Sequence, residues 1–114
     1  MSQATALFFY GIVIPKELVN QVYEKFEEIK DKFKMISLSS FCDSENTDEE
    51  DWGWALFIKD SVVETYSCEK IRNLTYAVDP VWIHYLLNCV KELGYYNIQE
   101  MKYPYWCFGV DFEP

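Results

Sequence analysis

Nine consecutive residues, Ala6-Leu-Phe-Phe-Tyr-Gly-Ile-Val-Ile14, leave this chain few folds to choose from. Nearly all are apolar and most are aromatic or β-branched, the character of a strand buried on both faces. Pro15 closes the run and suits the first turn of a helix, where its missing N–H costs nothing. From Lys16 to Lys34 the apolar residues fall at Leu18, Val19, Val22, Tyr23, Phe26, Ile29 and Phe33, the spacing of an amphipathic helix. At 114 residues there is one core to build, so residues 1–114 form a single domain.

Downstream, residues 37–51 read as a loop. They hold Ser37, Ser39 and Ser40, then an acidic stretch from Asp43 to Asp51. Trp54-Ala-Leu-Phe-Ile58 resumes strand character, and Lys59-Asp60-Ser61 can turn the chain into a hairpin arm over Val62–Tyr66. Residues 67–78 fit either a loop or a short extra strand. Asp79-Pro80 is an N-cap followed by proline. The helix after it carries Trp82, Ile83, Leu86, Leu87, Val90 and Leu93 and stops at Gly94. In the last strand Trp106, Phe108, Val110 and Phe112 alternate with Cys107, Gly109 and Asp111. The order strand, helix, strand, strand, helix, strand predicts an α+β fold of ferredoxin-like (βαββαβ) plan, with two helices on one face of the sheet.

Charge narrows the function. Ten Lys and Arg stand against nineteen Asp and Glu, a net charge of −9. The first helix holds five lysines and five acids, so the excess lies elsewhere. A surface of that sign repels phosphate backbones and anionic lipid, which argues against direct nucleic-acid or membrane binding. No apolar run reaches the roughly 18 residues of a membrane span. Ala4–Ile14 lacks the basic flank and cleavage site of a secretory signal, which predicts a cytoplasmic protein with free thiols. Cys42, Cys68, Cys89 and Cys107 are widely spaced, and one histidine cannot complete a zinc set, so no metal or other cofactor is expected. The sequon Asn73-Leu74-Thr75 carries no meaning in a chain that is not secreted.

The candidate site residues come from the acidic stretch. Six of the nine residues 43–51 are acids: Asp43, Glu45, Asp48, Glu49, Glu50 and Asp51. A calcium loop starting at Asp43 would put Asp48 where the turn needs glycine and Trp54 where a bidentate glutamate belongs, so that reading fails. Contiguous loop acids are more often a solvated surface than a magnesium cage. A carboxylate row can instead imitate a phosphate row for a basic partner, with Trp52 and Trp54 as apolar anchors. Trp54 fits the core equally well. His84 has no nucleophile or orienting partner in the linear sequence, Arg72 suits a local ion pair, and Cys89 and Cys107 read as small core residues.

Aromatics make up 18% of the chain, more than a core of this size readily holds. Trp106-Cys-Phe-Gly-Val-Asp-Phe112 is faintly similar to the aromatic motif of RNA-recognition sheets. It lacks the opening Lys or Arg, lies in the last strand and is flanked by acids. Exposed Trp and Tyr beside acids suit a protein interface better, with Trp52, Trp54, Tyr95, Tyr96, Tyr103 and Tyr105 as the residues harder to place wholly inside.

The expected function is a non-catalytic inhibitor of immunity or anti-defence type. Its acidic surface would occupy a basic, nucleic-acid-binding site on another protein. The unlike alternatives are a small-ligand module, with a pocket of at least about 300 Å³ lined by Trp and Tyr between sheet and helices, or a soluble structural subunit. Homo-oligomerisation stays open.

Overall fold

The computed structural model describes residues 6–42, 52–65, 78–109 and 111–112. Strand β1 (Ala6–Val13) leads through a 3-10 turn at Lys16–Leu18 into helix α1 (Val19–Ile29), which tightens into a second 3-10 turn at Lys30–Lys32. Strands β2 (Ile36–Cys42) and β3 (Trp52–Ile58) follow, then a 3-10 step at Lys59–Ser61 and strand β4 (Val63–Thr65). Helix α2 (Pro80–Leu93), a 3-10 turn at Gln99–Met101 and strands β5 (Tyr105–Gly109) and β6 (Asp111–Phe112) complete the fold. It is a small α+β fold in which every strand pairing is antiparallel.

Two expectations are corrected. Residues 37–42 are strand, not loop: β2 pairs with β3 without a break from Ile36↔Ile58 to Cys42↔Trp52. Serines at 37, 39 and 40 hid the alternation of Ile36 and Leu38 toward the helices with Phe41 toward the other face. Lys59–Ser61 is not a hairpin turn either, because β4 pairs with β1. Gly11 has Phe57 on one flank and Tyr105 on the other, and Leu7 has Glu64 on one flank and Gly109 on the other. Strands β3 and β4 therefore lie on the same flank of β1, opposite β5. The 3-10 step is a wide bulge in one long strand, and Ser61 repairs it. Its buried hydroxyl accepts from the Tyr10 N–H at 2.8 Å and donates to the Ile58 carbonyl at 2.6 Å, so no ladder group is orphaned there.

Chain connectivity shows that the sheet is not flat. Gly109 pairs with β1, and Asp111 pairs with β2, which lies beyond β3. Gly109 and Asp111 are two residues apart and span at most about 7 Å, whereas their partner strands in a flat sheet lie roughly 10 Å apart, with β5 and β6 on opposite outer flanks. The sheet must curl until β5 and β6, two residues apart in the chain at Gly109 and Asp111, meet both of its sides. The Phe9 and Phe41 rings, from β1 and β2, are accordingly 5.1 Å apart in edge contact although β3 runs between their strands.

Curling gives the sheet two buried faces. The inner face holds Leu7, Phe9, Phe41, Ala55, Phe57 and Cys107. The outer face holds Tyr10, Ile12, Ile14, Ile36, Leu56 and Ile58 under Val22 and Phe26 of α1 and Leu86, Cys89, Val90 and Leu93 of α2. Strand β1, buried on both faces, thus contributes to two cores. Helix α2 begins where the sequence indicates, with the Asp79 carboxylate accepting from the Val81 N–H at 3.0 Å, and ends at Gly94 in the left-handed conformation. The far ends of the two helices are tied by Lys32 to Glu92 at 3.3 Å and by Lys25 to the Leu93 carbonyl at 3.3 Å. No helix among the described residues is long and apolar enough to cross a membrane.

Candidate functional site

The β2–β3 hairpin separates charge. At its Ile36↔Ile58 end, Lys30, Lys34 and Lys59 line a cleft of about 280 Å³ together with Glu27 and Asp31, and Lys30 bonds Glu27 at 2.8 Å. That ion pair raises the Lys30 pKa. The other end is Cys42↔Trp52, some six residues or roughly 20 Å along the strands. The acids Asp43, Glu45, Asp48, Glu49, Glu50 and Asp51 lie outside the described residues. Sequence connectivity still fixes where their segment starts and finishes, because residue 43 follows Cys42 and residue 51 precedes Trp52. Six of the nineteen acids, with no basic residue among them, therefore lie in sequence between the strand ends that pair as Cys42↔Trp52, while Lys30, Lys34 and Lys59 share the opposite end with Glu27 and Asp31.

The anchors divide. Trp52 is described in its backbone alone, paired with Cys42. Trp54 is half-buried against the helix-side core and meets the Tyr23 ring edge-on at 5.9 Å. It is a wall of the core at the sheet margin. Exposed aromatic surface gathers on β5 and the chain leading into it: Tyr103 is 66% exposed, Phe108 54% and Tyr105 47%. Phe108 shares a face of β5 with Trp106, as the alternation predicts, but it packs on Phe8 at 5.4 Å and stays exposed, while Trp106 is half-buried against Tyr10 and Trp82. Cys42 pairs with Asp111, three residues or roughly 10 Å along the strand from Phe108. Phe108 thus lies on the chain segment that leads into β6, the strand paired with Phe41 and Cys42. The clue in the sequence was Tyr103–Val110, eight residues without a charge.

A second concavity, a groove of about 510 Å³, is lined by Val13, Ile14, Pro15, Gln99, Glu100, Tyr103 and Tyr105. It opens beside the start of β5 and contains no tryptophan. Burial raises the Tyr105 phenol pKa, with the Cys107 thiol adding to the shift and the Val13 backbone N–H opposing it.

The thiols of Cys89 and Cys107 are buried, and burial pushes both pKa values up to about 12. Glu92 adds to the shift at Cys89, whereas the Gly11 backbone opposes it at Cys107. Thiolate is the nucleophilic form, so at pH 8 its population in each is roughly 10⁻⁴. In a Cys42→Ser, Cys68→Ser background, a chromogenic disulfide reagent is expected to find no reactive thiol in the native protein at pH 8 and two after denaturation. Fast labelling of the folded state would contradict the burial. Both pKa values are raised in the folded state, so their contribution is complete below the unfolded value of about 9 and fades as pH climbs toward 12. His84 is exposed on α2. Among the described residues no group of three His, Cys, Asp or Glu side chains is placed to hold a metal. Arg72 lies outside the described residues.

Comparison with models of protein families, with curated proteins and with solved structures finds no match.

Proposed function

We propose that this chain is a non-catalytic, cytoplasmic binding protein whose acidic segment 43–51 occupies a basic, nucleic-acid-binding surface of another protein, in the manner of an immunity or anti-defence inhibitor. The observation that carries the reading is the separation of charge along the β2–β3 hairpin. Three lysines against two acids line one end, and the six acids Asp43, Glu45, Asp48, Glu49, Glu50 and Asp51, with no base among them, fall in sequence between the strands that pair at the other. A field organised this way orients an approaching basic protein and speeds its association, while repelling nucleic acid itself. Charge alone gives little affinity once the pair is hydrated, so an apolar contact must accompany it. Phe108, exposed on the strand that leads into β6, supplies one. The partner we infer is a protein with a basic surface, and the mechanism needs neither a metal nor another cofactor.

The finer architectural reading belongs with this proposal. A split strand–helix–strand plan of ferredoxin-like type is supported by β1 and β3 at the centre of the sheet, β2 and β5 beside them, and both helices on one face. Strands β4 and β6 and the closure of β6 onto β2 lie outside that plan.

A pull-down from host lysate, eluted at rising salt, finds the partner. The triple substitution Asp48→Lys, Glu49→Lys and Glu50→Lys is then expected to weaken its binding by tenfold or more and to flatten the salt dependence, with circular dichroism unchanged. Retained affinity with an unchanged salt slope would remove the charge-mimic mechanism even for a genuine partner.

A further inference from the structure

We infer that the groove between Pro15, Glu100, Tyr103 and Tyr105 seats an arginine side chain of the protein partner. The inference rests on the binding function proposed above and names a second, separate point of contact. It starts from a contrast among the tyrosines. The Tyr95 ring carries the Lys25 ammonium at 5.0 Å from its centre. The Tyr96 ring carries Lys91 at 4.8 Å and Lys102 at 6.0 Å. These faces are already filled by cations of the chain itself. Among the described residues, Tyr103 and Tyr105 have no such cation, although both are among the chain's exposed large side chains.

The lining supplies the complementary charge. Glu100 is its one charged residue, and no lysine, arginine or histidine contributes to it. Lys102, the nearest cation in sequence to both tyrosines, is directed to Tyr96. The groove therefore offers two tyrosine side chains, a carboxylate and the apolar surface of Val13 and Pro15, in a chain of net charge −9. An organic cation satisfies all of these at once, through attraction to the ring quadrupole and to the carboxylate. Guanidinium fits better than ammonium because it is planar, more weakly hydrated, stacks on aromatic faces and can bond a carboxylate through two N–H groups. Its three-carbon stem covers the proline and valine. At about 510 Å³ the groove has room for the whole side chain and the backbone that bears it.

The rings are held in place rather than free to collapse. Tyr105 belongs to β5, paired with Gly11 of β1, and its phenol is approached by the Val13 backbone N–H. Glu100 lies in the 3-10 turn Gln99–Met101, whose Met101 side chain is fully buried in the helix-side core. Site and core are thus joined through one turn, and the arrangement is formed before any ligand arrives.

The test needs no partner, so its outcome is independent of the acidic segment. The intact chain, uniformly labelled with ¹⁵N, is titrated with N-acetyl-arginine amide, with its uncharged isostere N-acetyl-citrulline amide, and with choline. Saturable shifts are expected at Pro15-flanking, Glu100, Tyr103 and Tyr105 resonances with the arginine probe, and binding at least tenfold weaker with citrulline. Tyr103→Ala should weaken the arginine probe about tenfold, Tyr103→Phe less than twofold, and Glu100→Gln severalfold. Both positions are exposed, and circular dichroism should confirm an unchanged fold. The Asp48→Lys, Glu49→Lys, Glu50→Lys variant should bind the probe as the parent does, which separates this site from the acidic segment. Equal binding of citrulline, or shifts confined to residues 43–51, would overturn the inference. Choline binding more tightly than the arginine probe would overturn the assigned occupant in favour of a free small cation.

Discussion

Replacing Gly11 by alanine is expected to remove on the order of 3 kcal/mol of stability, a large share of the roughly 5–15 kcal/mol that holds a domain of this size. A Cβ at this position would fall on the Leu56 carbonyl oxygen and lie 2.8 Å from the Phe57 Cα and Cβ. Two of those three atoms belong to backbone, so no rotamer change relieves them. Only separation of β1 from β3 would, and that separation breaks the ladder running from Gly11↔Phe57 to Val13↔Ala55. Glycine here permits the close approach of β1 to β3. Gly53 is the control. The three atoms nearest a Cβ there all belong to the Phe41 ring, the closest at 3.0 Å, and a ring can tilt. Urea denaturation of both variants should show Gly11→Ala losing at least about twice the stability that Gly53→Ala loses. Equal midpoints would mean that β1 and β3 are not in this contact.

A comparable loss, about 3–5 kcal/mol, is expected for Phe9→Ala. Phe9 has no exposed surface and touches Phe41 at 5.1 Å and Phe57 at 5.2 Å between ring centres. It is the centre of the inner core. Truncation leaves a cavity that the surrounding strands cannot fill, because β1 is also fixed on its other face by the helices. A double-mutant cycle between Phe9→Ala and Phe41→Ala tests the curl itself. In a flat sheet the two strands would lie roughly 10 Å apart with β3 between them, and the coupling would be close to zero. The edge contact predicts a coupling of about 1 kcal/mol. Additive losses would argue for an open sheet.

Both expectations concern contacts between residues far apart in the chain, and this is where pattern reading reached its limit. Periodicity located α1 and α2 because an amphipathic stripe and a cap are local signals. Asp79-Pro80 and Gly94 bracket α2 to within a residue. The same reasoning passed over β2. Three serines in Ile36–Cys42 lower its intrinsic strand preference, and seven pairings with β3 override that preference. The bulge at Lys59–Ser61 resembles a turn in sequence because both bring polar residues between apolar runs. Only the pairing of β4 with β1 distinguishes them.

The candidate site divides along the same line. The sequence by itself determined where the negative charge is concentrated, which residues carry it and that the aromatics exceed the core, since composition and order suffice for these. It also determined that β1 would be buried on both faces, because an uninterrupted apolar run has no side to offer to water. Tertiary structure decided what covers those faces: helices on one and the sheet's own curvature on the other. Likewise it decided that Trp54 is a wall of the core and Phe108 an exposed ring, and that the tyrosines at 95 and 96 carry lysines while those at 103 and 105 line a groove with Glu100. The physical reason is range. Charge and periodicity are properties of neighbours in the chain, whereas curvature, closure and the pairing of a ring with a cation depend on residues that meet only after the strands have found their register.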